Sequence, residues 1–517
     1  MVADAYDIRT ALPRPLRVLM VSAELAPFSR AGGLGDVMQG LSRALGAMGV
    51  EVVVVSPLYA NSNVQGTAAL RPWPRPLWVS LGGDVREVGV QETITAGDVR
   101  VLLLDCPTLF RRNGIYGDKH GSFADNDLRF AVLSAAALQA AETIWGGPPD
   151  VLHAHDWHAA LAVAYARLSE RPEWRKTASV FTFHNLAFQG WFPIPRAATL
   201  GLPDSVLHEE AVRQGDHVNF LKSGIVYADR VTTVSRTYAQ EVLGAEHGCG
   251  LDPILTARST RLVGIANGID IATWDPSRDR SLAARYDAID PSGRVACKSA
   301  LAAQLGLDLG NNAPLVGVVS RLIPQKGIDL LVELLPSLIA EGLRFAIVAL
   351  GDSQLERRLA DIATRWPSRL AFRPLFGDPI ARRVYAGADL FVMPSRFEPC
   401  GLGQQYAMRY GAVPIVSSVG GLVDTVDPVD EQEGTGTGFR FDDVSSSGLA
   451  EAIRRAVEFR KRPTDWSRLV RACMTRDASW DASARQYFAL YRNITGAPPR
   501  PSLPPPPSVA ANPESEA

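Results

Sequence analysis

Residues 395–402, Ser-Arg-Phe-Glu-Pro-Cys-Gly-Leu, place a cation, a carboxylate and a thiol in one turn, directly after the apolar run 388–393. A strand-to-helix turn needs only a glycine and a cap. Pro399 stops the strand, and Cys400, Gly401 and Leu402 present bare backbone amides at a helix start. Glu398 is thereby held beside a local positive potential. A carboxylate there can bind sugar hydroxyls or stabilise positive charge developing at an anomeric carbon. A capped turn with a buried cysteine accounts for Gly401 and Cys400 but leaves Arg396 and Glu398 over. The segment 420–426, Gly-Gly-Leu-Val-Asp-Thr-Val, repeats the glycine-then-helix arrangement.

In 320–327, Ser-Arg-Leu-Ile-Pro-Gln-Lys-Gly, Arg321 and Lys326 stand five positions apart. That spacing does not place them on one helix face. In a loop they can converge on one diphosphate, each charge-assisted hydrogen bond contributing roughly 1.5–3 kcal/mol. Arginine supplies a planar fork and lysine a point charge. Standing alone, the pair would read as two solvated cations.

Three motifs in the first half carry comparable chemistry. Gly32 and Gly33, beside Arg30, remove Cβ atoms where amides could approach an anion at a helix start. Taken alone, the glycine pair is a tight turn. It is not the dinucleotide fingerprint, because Met38 stands where a third glycine belongs. In 151–161, Val-Leu-His-Ala-His-Asp-Trp-His-Ala-Ala-Leu, the spacing of His153, His155 and His158 matches neither HExxH nor a His-plus-carboxylate triad. Asp156 reads instead as an acceptor for sugar hydroxyls, as an N-cap for a helix beginning near His158, or as both. His184 and Asn185 close the run Phe-Thr-Phe-His-Asn and precede Phe188, Trp191 and Phe192, aromatic faces of the kind on which pyranose rings stack.

The elements that hold these residues follow from pattern. Short, nearly all-apolar runs alternate with amphipathic helical segments, which predicts parallel α/β architecture with both sheet faces covered. Nearly every such run leads into a chemistry-bearing loop, as expected where ligands bind beyond the carboxyl ends of strands. A length of 517 residues predicts two or three domains. The polar segment 271–312 predicts a linker between doubly wound domains over 16–270 and 313–480, and a shared interdomain cleft is expected. Residues 1–15 read as a flexible N-terminus, 481–495 as a terminal helix returning to the first domain, and 496–517 as a disordered proline-rich tail.

With 46% hydrophobic and 21% charged residues and a formal charge of −2, nothing suggests nucleic acid as a partner. No apolar run is long enough to span a bilayer, and no signal-peptide core is present. The five cysteines are scattered without CxxC spacing, which fits a reducing cytoplasm and neither a disulfide framework nor a structural zinc site. No metal or cofactor is expected. Oligomeric state is not legible.

Together these segments resemble the bacterial glycogen synthases and plant starch synthases, a family with the GT-B fold. The resemblance runs from about Arg17 to about Arg492 and adds 113–118 (Asn-Gly-Ile-Tyr-Gly-Asp), 220–235 and 264–270 (Gly-Ile-Ala-Asn-Gly-Ile-Asp) to the motifs above. It implies transfer of glucose from a nucleotide sugar, usually ADP-glucose, to the non-reducing end of an α-1,4-glucan (glycogen) with retention of configuration. By motif position it implies that Arg321 and Lys326 bind the donor diphosphate and that His184 contacts the transferred glucose. Asp156, Asn267 and Glu398 would hold sugar hydroxyls and transition-state charge. Cys400, Gly401 and Leu402 would supply amides, Tyr116 would line the cleft, and Phe376 would stack on adenine. It implies no essential metal. The chain departs from the family pattern at Arg30, where the first-loop motif has lysine. It departs again from many retaining GT-B enzymes at Tyr406, where they carry a second carboxylate.

A retaining glycosidase would use two carboxylates about 5 Å apart, and the sequence offers no second nucleophile. Same-face transfer, with the leaving phosphate accepting the proton of the incoming hydroxyl, is therefore expected. The alternatives are another retaining GT-B transferase with a different donor or acceptor, and a non-catalytic glucan or nucleotide-sugar sensor.

Overall fold

The apolar runs form parallel strands in the computed structural model, which describes residues 14–64, 69–375 and 377–496. The chain divides into two compact units. The first takes the described residues up to Val231, then Pro253–Arg261 and the chain from Tyr487. The second takes Thr232–Asp252 and Leu262–Gln486.

In the first unit five parallel strands carry the core: Arg17–Val21, Glu51–Pro57, Val99–Asp105, Val151–His155 and Ala178–Phe183. Numbered along the chain, they lie in the order 3-2-1-4-5. The order reverses between the first strand and the fourth, and the loops after both strands open at that reversal. Helices Leu34–Ala47, Asn126–Trp145, Asp156–Leu168 and Phe220–Tyr227 accompany the sheet. Helix Asp156–Leu168 buries an alanine-rich run, and Gly224 lets its neighbour approach the Phe181 ring, where a Cβ would lie 2.6 Å away.

The sheet is not purely parallel, as the apolar runs alone predicted. Leu77–Leu81 and Asp84–Thr95 form an antiparallel hairpin, and Asp84–Thr95 pairs antiparallel with Val99–Asp105. Their alternating exposed positions gave no continuous apolar run. The two-residue turn Gly82-Gly83 has φ of +55° and +89°, the geometry that tight hairpins favour and glycine permits.

In the second unit the strands Leu315–Leu322, Arg344–Gly351, Leu370–Arg373, Leu390–Met393, Val413–Ser417 and Phe439–Phe441 are all parallel. Their order, 3-2-1-4-5-6, is that of a Rossmann sheet. The reversal falls between Leu315–Leu322 and Leu390–Met393, the strands that precede Lys326 and Glu398. The expected N-terminal segment 1–15 and the tail 496–517 lie almost wholly outside the described residues, as does Phe376.

Candidate functional site

In the second unit the loops after the first and fourth strands are fastened together. Gly327, at φ +61°, approaches the Pro394 carbonyl so closely that a Cβ would lie 1.9 Å from its oxygen. Arg396 donates to Asp329 Oδ1 at 2.8 Å and Oδ2 at 2.5 Å, and to the Pro324 carbonyl at 2.9 Å. Its own amide donates to the Gln325 carbonyl. Arg396, which the sequence left unexplained, is a clamp between the two motifs.

That clamp sets Lys326 Nζ 2.5 Å from Glu398 Oε2. The Glu398 side chain is 6% exposed and that of Lys326 16%. Ser395 Oγ donates to the same carboxylate oxygen at 3.0 Å. Arg321, near the end of its strand, is exposed and has no ion-pair partner among the described residues. One free cation and one held by a carboxylate therefore flank the sheet reversal.

The turn after Glu398 rests on the Gly420-Gly421 segment. A Cβ on Gly420 would lie 2.0 Å from the Glu398 carbonyl oxygen, and one on Gly421 would lie 2.3 Å from that of Cys400. The Gly421 amide donates to the Glu398 carbonyl at 2.9 Å. Gly401 takes φ +71° just before helix Gly403–Arg409. Gln404 Nε2 donates to the carbonyls of Cys400 and Gly401, both at 3.0 Å. These bonds occupy carbonyls, and the helix follows directly after Leu402. The Cys400 thiol is buried against the Asn267 backbone, and burial pushes it up to about 12, so it stays protonated and is not a nucleophile. Asn267 is buried, its carbonyl accepts from Gln405, and its side-chain oxygen has no partner among the described residues. An orphaned acceptor of this kind suits a ligand hydroxyl.

The first unit gathers a second set at its own sheet reversal. Asp156 opens its helix at φ +57°, a left-handed conformation that costs a non-glycine residue about 1 kcal/mol or more. It is the first residue of the helix, and His155 holds the cap position. The carboxylate accepts the His184 amide at 2.7 Å. Desolvation pushes the Asp156 carboxyl up to about 7, and nearby Glu24 adds to the shift. Surrounding protein pushes the His184 imidazole down to about 3, so it is neutral at physiological pH. Its Nε2 lies 3.1 Å from His155 Nδ1. His153 bonds Tyr491 and Thr182, both at 2.7 Å, which makes it a satisfied core histidine.

Glu24, a chemistry-bearing residue in the loop after the first strand to which the sequence assigned no role, organises this region. Its Oε2 accepts the amides of Ala31 and Gly32 at 2.7 and 3.0 Å, and its Oε1 accepts the Tyr116 hydroxyl at 2.5 Å. The Gly32 amide is thus engaged by a carboxylate. Gly33 caps helix Leu34–Ala47, and Arg30 lies 2.9 Å from Asp36, half exposed. Tyr116 stacks on His158 with ring centroids 4.6 Å apart. Its loop is held by fully buried Arg129, which donates to the carbonyls of Leu109 and Ile115. Nothing in the motif spacing marked Arg129 as more than a helical residue. Among the described residues no group of three His, Cys, Asp or Glu side chains is placed to hold a metal ion.

The second unit offers cations suited to a diphosphate and a carboxylate beside a helix start, and the first offers an acid–imidazole pair suited to hydroxyls. Comparison with known proteins identifies the family. Residues 17–257 match the family model described as starch synthase catalytic domain, and residues 313–458 match glycosyl transferases group 1. The chain is 41% identical over 479 residues to glycogen synthase 2 of Geobacter sulfurreducens, covering 92% of this chain and 98% of that one. It is 43% identical over 482 residues to a glycogen synthase of Anaeromyxobacter dehalogenans, covering 93% and 100%. The catalytic domain of starch synthase IV from Arabidopsis thaliana, solved bound to ADP and acarbose, superposes with a TM-score of 0.86 at 33% identity. That match covers 93% of this chain and 100% of that one. A sucrose-phosphate synthase from Thermosynechococcus elongatus shares the fold alone, at 20% identity and a TM-score of 0.54 over 93% of this chain and 99% of that one. Two Rossmann-like α/β units of the GT-B class, these motifs and these relatives lead to one assignment: the chain belongs to the glycogen synthase and starch synthase family of glycosyltransferases.

Proposed function

We propose that this protein transfers glucose from ADP-glucose to the non-reducing 4-hydroxyl of an α-1,4-glucan, with retention of anomeric configuration. The observation that carries the reading is the Lys326–Glu398 pair at the reversal of a 3-2-1-4-5-6 sheet, where nucleotide ligands bind in doubly wound folds. Arg321 and Lys326 take the diphosphate. Glu398, Asn267 and the amides of Cys400, Gly401 and Leu402 hold the sugar and phosphate oxygens. His184 and Asp156 act on the transferred glucose.

The bond between the anomeric carbon and the phosphate oxygen breaks, and its electron pair leaves with ADP. The cations stabilise that developing charge, while Glu398 stabilises the oxocarbenium-like centre. The acceptor hydroxyl oxygen bonds the anomeric carbon on the same face, and its proton passes to the leaving phosphate oxygen. Neutral His184 and the Glu398 carboxylate are suited to orienting hydroxyls without acting as nucleophiles. Five free cysteines, four of them buried, support a reducing, cytoplasmic setting. Among the described residues no helix is long and apolar enough to cross a membrane.

Donor competition tests the reading. With ADP-glucose and UDP-glucose present together at equal concentration, ADP should be the main nucleotide released. A covalent glucosyl adduct on Asp156 or Glu398, trapped and read by mass spectrometry, would contradict the mechanism.

A further inference from the structure

Trp191 and Phe188 are 49% and 58% exposed, yet Trp191 is held in place by specific partners. Trp191 opens the short strand Trp191–Pro193, which pairs antiparallel with His217–Asn219, Trp191 standing opposite Asn219. The indole Nε1 donates to Gln189 Oε1 at 2.8 Å, and that same oxygen accepts from Asn219 Nδ2 at 2.6 Å. Gln189 is 7% exposed and Asn219 fully buried. Asn219 also caps helix Phe220–Tyr227 by accepting the Lys222 amide at 2.9 Å. Gly190, at φ +68°, presses so closely on the Trp157 ring that a Cβ would lie 2.3 Å from it.

Folding alone does not require this. A solvent-facing indole N–H is satisfied by water, and an exposed tryptophan gains little by being fixed. Two buried amides aimed at holding it instead present one flat aromatic face in a set orientation. From His184 to Pro193 the chain carries no Asp, Glu, Lys or Arg, so the face suits a neutral ligand with apolar ring faces and a hydroxyl rim. Seven residue-to-residue steps separate His184 from Trp191, at most ~25 Å of extended chain. That is the span of a few glucose units.

We propose that Trp191, with Phe188 beside it in sequence, is a platform on which glucose rings of the α-1,4-glucan acceptor stack, and that it sets the preference for long acceptors. The proposal rests on the acceptor named above.

The test compares wild type, Trp191→Ala, Trp191→Phe and Phe188→Ala, each checked for folding by circular dichroism. For Trp191→Ala the KM for maltoheptaose should rise about tenfold. The KM for ADP-glucose and the kcat at saturation should stay within about twofold, and Trp191→Phe should recover most of the loss. Calorimetric titration with maltoheptaose and no donor should show the same weakening. If Trp191→Ala does not fold, Phe188→Ala must show the raised maltoheptaose KM. Unchanged maltoheptaose KM and binding in a folded variant would overturn the platform. If wild type binds maltoheptaose through Trp191 but elongates nothing, the platform stands and the transferase reading fails.

Discussion

Lys326 Nζ and Glu398 Oε2 lie 2.5 Å apart although 72 positions separate them in the chain. The pair holds a cation and a carboxylate in place at the sheet reversal before any ligand arrives. On the proposed function, an incoming diphosphate would compete with Glu398 for Lys326, and the carboxylate so released would become available to the sugar.

Removing one partner should therefore cost both activity and stability. Glu398→Ala should lower kcat by about 100-fold or more, with a much smaller change in donor affinity. It should also lose about 3 kcal/mol of stability, because Lys326 is left poorly solvated. The double variant Glu398→Gln/Lys326→Met should recover stability and remain inactive. Urea denaturation alongside initial rates separates the two effects, and additive stability losses would show that the pair is not coupled.

Asp156 and the histidines pull the pH dependence of stability in opposite directions. The Asp156 carboxyl, raised to about 7, contributes stability that is full below the ordinary carboxylate range and lost as pH rises through 7. His153, lowered to about 3, contributes in the opposite sense, its neutral form favouring the fold as pH rises from 3 toward 6.5. Relative to wild type, Asp156→Asn should gain stability between pH 4 and 7 and change little above that. Thermal melts across this range check the sign. A gain confined to acid conditions below pH 4 would contradict the assigned burial.

Gly327→Ala should be disproportionately damaging. The substitution forces a Cβ toward the Pro394 carbonyl at a positive φ, with no flexible side chain to yield. A loss above about 2 kcal/mol is expected, with donor KM raised because the two loops are pushed apart. Near-wild-type melting and kinetics would show that the loops are not fastened at this point.

Thiol chemistry distinguishes a structural from a reactive Cys400. Four cysteines are buried and Cys249 is exposed. Iodoacetamide at pH 7.5 should alkylate Cys249 alone and leave transferase activity intact. Modification of Cys400 with inactivation would assign it a reactive role.

Arg396→Ala should cost at most about 1 kcal/mol of stability, since its ion pair with Asp329 is partly solvated. Donor KM should nevertheless rise several-fold, because the same guanidinium holds the Pro324 carbonyl and so positions Lys326. Equal effects on donor and acceptor KM would argue against that positioning role.

The parallel sheets were legible because a strand buried on both faces reads as a continuous apolar run, as in Glu51–Pro57 and Leu390–Met393. The hairpin of Leu77–Leu81 and Asp84–Thr95 was not, since one face of each strand is wet and the pattern breaks into single residues. Individual motifs could be read from residue type, but the pairing of Lys326 with Glu398 depends on strand order, which no local pattern contains. Arg396 looked like a ligand group because a charge in a turn carries no sign of its partner. Its partner, Asp329, lies in the first turn of another helix. Glu24 stood out as a charge after the first strand but its partners did not, and Arg129 gave no signal at all: the value of both lies in the loop groups they hold.

Stoichiometric chain extension is the most direct test. Wild-type protein incubated with ADP-glucose and a reducing-end-labelled maltooligosaccharide should release one ADP for each glucose added, at the unlabelled end and in α-linkage. Release of ADP with free glucose and no longer chains, or binding of ADP-glucose without release of ADP, would contradict the account.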